Sequence, residues 1–272
     1  MLKQRIITAV FLIPLTVVIL CYLPAAAFLL LTSMMVLIGA WEWAALMGLH
    51  ETKQRVGYLA LMLLFLILGL FTPVHRVLVC AGVGWLIALA LLIPYPRGSA
   101  YWGGSLVCKA LMGIFVLIPC WAAINFIRNS QVNGVYLLLF LFILIWGADS
   151  AAYFVGRKWG KHQLAPRLSP GKSIEGVGGA IIFSEGIMLL GLWLGHISAA
   201  IWPWAILLAF VTVLFSVVGD LFESMMKRQA GVKDSGHVFP GHGGLLDRID
   251  SLTAAAPIFT LGLFLIGTYL KQ

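Results

Sequence analysis

Charge is what this chain has least of. Only 10% of its 272 residues are Asp, Glu, Lys or Arg, whereas 61% are hydrophobic, and the mean hydropathy is +1.01. A soluble domain of this length carries roughly a quarter charged residues, so a soluble fold is excluded. Cysteine is sparse as well: Cys21, Cys80, Cys108 and Cys120 lie in or beside apolar runs with no CxxC pair, which reads as small buried hydrophobes. No HExxH motif occurs, so no zinc site of that kind is expected. Neither a Ser-His-Asp nor a Cys-His constellation stands out as a covalent catalyst. The chain shows no repeat of fixed period and no low-complexity tail.

What is present is a series of apolar runs of about 20 residues, each long enough to cross a hydrocarbon core of about 30 Å. Nine spans are expected: 6–22, 26–46, 57–73, 77–94, 110–127, 133–152, 176–197, 201–219 and 251–270. The runs lack the period-two alternation of a membrane β-barrel. The fold class is therefore an all-α polytopic membrane protein, one integral domain over 1–272. The first run is expected as an uncleaved helix rather than a signal peptide, because a second long apolar run follows at once.

Nine spans put the N-terminus and every second loop on one side. That side collects all 18 basic residues except Arg76, Arg128 and Lys271. The bias predicts a cytoplasmic N-terminus, and a bacterial inner-membrane protein with its polar loops in the cytosol. It also accounts for the net charge of +8 without a nucleic-acid partner. The polar loops 153–175 and 221–250 then face one compartment.

The ten acidic residues are unevenly spread: all but Glu42 and Glu51 lie between Asp149 and Asp250. Residues 1–145 therefore read as scaffold or lipid-facing wall, and 146–251 as the reactive part. Asp149 and Asp220 fall near helix ends. Asp247 and Asp250, three apart, project from one face of the last helix, although plain N-terminal capping explains the same pair. Asp149 could equally serve as a structural partner of Arg157, Lys158 or Arg248. Glu185, inside the seventh run, is open to a structural or a functional role.

Ser169-Pro-Gly-Lys-Ser173 resembles the end of a Walker loop but lacks its first glycine, since position 166 is Pro; a P-loop is rejected. Lys172 and Ser173 still precede a helix whose free N–H groups favour an anion. The densest polar stretch is Ser224 to Asp250, with Lys227, Arg228, Lys233, Arg248, Asp234, Asp247, Asp250 and a Pro-Gly-His-Gly-Gly turn. Mixed charge with glycines suits phosphates and a hard cation such as Mg²⁺. His242 is either a phosphate donor or a turn residue.

This stretch resembles the signature of the phosphatidate cytidylyltransferase (CDP-diacylglycerol synthase) family at Ser224, Lys227-Arg228, Lys233-Asp234, His242-Gly243-Gly244 and Asp247-Arg248-x-Asp250. Trp146-Gly-Ala-Asp149 and Ser169 to Gly176 are similar to further segments of that family. The resemblance implies that CTP and phosphatidate react to give CDP-diacylglycerol and pyrophosphate. It implies Mg²⁺, with room for a second cation, on Asp220, Asp247 and Asp250. It further implies catalytic duties for Asp220, Lys227, Asp247 and Arg248. Contacts to CTP and phosphate would fall on Asp149, Lys172, Ser173, Ser224, Lys227, Arg228, Lys233, His242, Gly243 and Gly244. Membrane lipid is an implied partner and a homodimer stays open. Three rivals carry different chemistry: a CTP-dependent polyprenol or phytol kinase, a cation-coupled transporter, and a CDP-alcohol phosphatidyltransferase. The inverted repeats of a transporter and the paired-carboxylate motif of the phosphatidyltransferase are both missing from the sequence.

Overall fold

The structure, a computed structural model, describes residues 14–130, 133–236 and 243–269, the side chains of 100, 101, 268 and 269 excepted. Eight helices among them are long and apolar enough to cross a membrane. They are α1 (Ala25–Leu46), α2 (Thr52–Phe71), α3 (Val74–Leu92), α4 (Leu106–Arg128), α5 (Gly134–Trp159), α6 (Ile174–Leu194), α7 (Trp202–Gln229) and α8 (Leu246–Tyr269). The expected first span, 6–22, lies partly outside the described residues, and its part from 14 to 22 is helical. The all-α polytopic class stands. It admits a small antiparallel hairpin of β1 (Gln163–Ala165) and β2 (Ser169–Ser173) between α5 and α6.

These helices carry apolar residues all round, as expected where the surroundings are lipid on one face and other helices on the rest. The most enclosed are α4, α7 and α8. Helix α8 packs against α7, α4 and α3, and α6 lies between α5 and α7. Two apolar cores result. One is built around Trp43, Trp85 and Phe222; the other is built around Leu138, Leu144 and Phe259.

Successive helices alternate in direction, so the ends of α1, α3, α5 and α7 and the starts of α2, α4, α6 and α8 share one end of the bundle. Among the described basic residues, only Arg76 and Arg128 lie at the other end, in agreement with the sequence bias.

Several helix limits differ from the sequence expectation, and three of them shape the site at this polar end. Helix α5 continues past 152 to Trp159, α7 continues past 219 to Gln229, and α8 starts at Leu246 rather than 251. The loops shrink accordingly to 160–173 and 230–245. Helix α7 goes on because its polar turns are internally paired: Ser224 Oγ donates to Asp220 Oδ1 (3.4 Å) and Lys227 Nζ to Glu223 Oε1 (3.1 Å), each at i,i+4.

Candidate active site

The polar end gathers its charges because helix backbones approach closely there. At Gly219 an added Cβ would lie 2.6 Å from the Asp250 carbonyl oxygen and 3.1 Å from the Ala254 Cβ. The missing side chain lets α7 run against α8, which puts Asp220 alongside Asp250. Gly176 does the same for α5 and α6, since a Cβ there would lie 2.8 Å from the Ala152 carbonyl oxygen. That approach brings Asp149 and the β2 residue Lys172 to one side of the cluster.

The floor of the site is buried. Lys227 Nζ sits between Glu223 Oε1 at 3.1 Å and Asp247 Oδ1 at 2.6 Å. The other oxygen of Asp247, Oδ2, accepts from Ser235 N (2.8 Å), Ser235 Oγ (2.9 Å) and Gly244 N (2.8 Å). Ser235 Oγ is also 3.2 Å from Glu42 Oε2. Glu42, on α1 and only 3% exposed, receives Leu245 N at Oε1 and Leu246 N at Oε2, both at 2.9 Å. A carboxylate from α1 thus caps α8 from outside its own helix, where negative charge meets the positive helix end.

Above the floor the carboxylates crowd. Asp250 lies within Coulombic range of Asp220, Glu223 and Asp149. Asp220 Oδ2 pairs with Lys172 Nζ at 2.5 Å. Asp149 receives a 3.4 Å hydrogen bond from Ser251 Oγ, and Lys172 is the cation whose charge reaches it. Ser251 on α8 is thus a hydrogen-bond partner of Asp149 that sequence reasoning, which considered Arg157, Lys158 or Arg248, did not name.

The structure distributes the remaining expected residues unevenly. Ser224 is part of the α7 wall through Asp220. Ser173 Oγ accepts from Gly176 N (3.1 Å) and so caps α6. Arg228 ties the surrounding loops, with Nε donating to the Leu168 carbonyl and Nη1 to the Val232 carbonyl, each at 3.2 Å. Lys233 and Arg248 are exposed. Gly243 has φ +78°, a left-handed conformation suited to glycine. His242 lies outside the described residues. Within α6, both Glu185 oxygens are buried and lack a hydrogen-bond partner among the described residues.

Sequence reasoning passed over Glu42, Ser235 and Ser251. The only signal for Glu42 was its presence, since a lone acid in an apolar span is costly and calls for a partner.

The donor set tests the expected cation. Asp149, Asp220 and Asp250 offer hard oxygens, with Lys172 the only ammonium among the described residues at hydrogen-bonding distance from any of the three, which suits Mg²⁺ or a similar ion. Asp247 fits less well, because Lys227, Ser235 and Gly244 already occupy its oxygens. Among the described residues, no three acidic, His or Cys side chains are drawn together tightly enough to form a complete metal cage. An ion here would need further oxygens from water or a phosphate, the usual habit of Mg²⁺.

A multi-pass membrane bundle with mixed lysines and carboxylates at one end suits a membrane enzyme that handles phosphates. Residues 3–266 match the model of the cytidylyltransferase family, and the chain belongs to that family. A phosphatidate cytidylyltransferase of Pseudomonas aeruginosa is 44% identical over 270 residues, covering 98% of both chains. One from Haemophilus influenzae is 37% identical over an alignment covering 98% of this chain and all of its own. One from Brucella suis is 38% identical over 66% of this chain and 72% of its own.

Proposed function

We propose that the chain transfers the cytidylyl group of CTP to phosphatidate, giving CDP-diacylglycerol and pyrophosphate. The observation that carries this reading is the Lys172–Asp220 and Glu223–Lys227–Asp247 arrangement at the polar end of a membrane bundle in a cytidylyltransferase-family chain. By the positive-inside bias, that end faces the cytosol of a bacterial inner membrane, where CTP is available while lipid tails remain in the bilayer.

The nucleophile is an oxygen of the phosphatidate monoester, whose second pKa of about 6 leaves it largely dianionic at neutral pH. It forms a bond to the α-phosphorus of CTP as the bond from that phosphorus to the β-phosphate bridging oxygen breaks, and pyrophosphate leaves with the electron pair. No general base is required. The obstacle is repulsion between two polyanions, so catalysis rests on placed positive charge. Lys172 and Lys227 are held by carboxylates on rigid helices, and Arg248 stands at the rim. Asp149, Asp220 and Asp250 would hold a divalent cation, which when bound supplies further charge neutralisation.

The test is a reaction of purified protein with either phosphatidate or a polyprenol-type lipid alcohol in detergent micelles and CTP labelled at either the α- or the γ-phosphate. Lipid carrying the α-label supports the reading. Lipid carrying only the γ-label, made from a lipid alcohol, identifies a kinase instead.

A further inference from the structure

An apolar cavity of about 410 Å³ opens beside the site, within the range of about 300–1,000 Å³ typical of ligand pockets. Its walls come from residues 15–20, α1, α4, α5 and the first turns of α8. Among the described lining residues Arg248 alone is charged. Along α1 the lining runs from Ile38 to Phe28, about 15 Å at 1.5 Å per residue. That is half of a hydrocarbon core of about 30 Å, the depth one acyl chain reaches from one leaflet.

We infer that this cavity holds one acyl chain of the lipid phosphomonoester, with Arg248 at its mouth meeting the phosphate. The inference rests on the proposed function and adds where the lipid lies. Continuity supports it: Arg248 is flanked on α8 by Asp247 and Asp250, so a headgroup held there is at the reactive cluster. Charge complementarity supports it too, because a guanidinium presents paired donors to phosphate oxygens. A larger cavity between α3, α7 and α8, lined by Val83, Trp204 and Leu265 among others, has no charged residue on its wall and lies away from the site.

A tail moving from bilayer to cavity exchanges one apolar setting for another, so transfer from water contributes nothing. The cavity therefore acts on orientation, presenting the phosphate in one attitude to CTP. Its consequence is selection among chain shapes.

Two measurements test this on the full-length protein. Phosphatidate with a diazirine midway along one chain is photolysed with it, and adducts are mapped by mass spectrometry. Adducts on 28–38 and 117–124, displaced by unlabelled phosphatidate more readily than by phosphatidylcholine, are expected. Adducts scattered over α2 and α3, or displaced equally by both lipids, overturn the inference. In parallel, Ile124→Trp narrows the cavity. It is expected to lower kcat/KM for dipalmitoyl relative to dioctanoyl phosphatidate by about tenfold, a size-exclusion effect of ordinary magnitude. An unchanged ratio overturns it even where adducts form. If the native protein makes no CDP-diacylglycerol from either lipid, the function is refuted, and the labelling pattern still decides the cavity.

Discussion

Lys227 joins two helices through carboxylates of unlike origin, Glu223 from its own helix and Asp247 from α8. In Asp247→Asn the side chain keeps its size but cannot accept four donors, and its amide would point N–H groups at N–H groups. Loss of a placed electrostatic group typically costs about 10²- to 10³-fold in rate, and that loss in cytidylyl transfer is expected. Lys227→Met should cost as much. Because the two side chains share one interaction, the double variant should lose less than the product of the single losses. Strictly multiplicative losses in kcat/KM would show that the contact has no part in activity. Glu42 sets a second residue-scale expectation. Glu42→Ala leaves Leu245 N and Leu246 N without their acceptor, at about 1–3 kcal/mol for each buried group. A lower apparent Tm in detergent should result, with Glu42→Gln intermediate. A melting temperature equal to the native one would count against the cap. Nothing near Glu42 in the sequence hints at this role, because its partners are about 200 positions away. Asp247 was legible because it stands in a dense polar stretch. Its hydrogen bonds with Lys227, Ser235 and Gly244 were not, since spacing along a chain does not say which way a carboxylate points.

At the scale of elements, contact between α7 and α8 depends on Gly219. A side chain there would strike backbone, which cannot rotate away as a flexible side chain would. Gly219→Val should therefore part Asp220 from Asp250 and remove most activity. Gly178→Ala on α6 is the control, since nothing lies within 4 Å of its added Cβ. It should keep activity and gain up to about 1 kcal/mol from helix propensity. Equal behaviour of the two variants would mean that close approach is not what assembles the site. The helices themselves were legible because apolar runs of membrane length have few alternatives. Their ends were not, for a physical reason. Hydropathy falls after Gly219, yet Asp220–Ser224 and Glu223–Lys227 satisfy one another along the helix and let it continue into polar territory.

For the whole molecule, alternation of the helices and the sidedness of the basic residues make one joint statement. Basic residues resist transfer across the membrane, so the end holding most of them is expected in the compartment of synthesis. The 230–245 loop and the 195–201 connection then lie on opposite sides. The natural cysteines are replaced by serine, and single cysteines are placed at Lys233 and at Ser198, both exposed. In intact cells stripped of any outer envelope, a membrane-impermeant maleimide should label Ser198→Cys directly. It should label Lys233→Cys only after permeabilisation. The reverse pattern would place the carboxylate cluster outside, away from cytosolic CTP, and the proposed reaction could not be supplied. Labelling of both without permeabilisation would break the alternation, and with it the juxtaposition of α5, α7 and α8 on which the site depends.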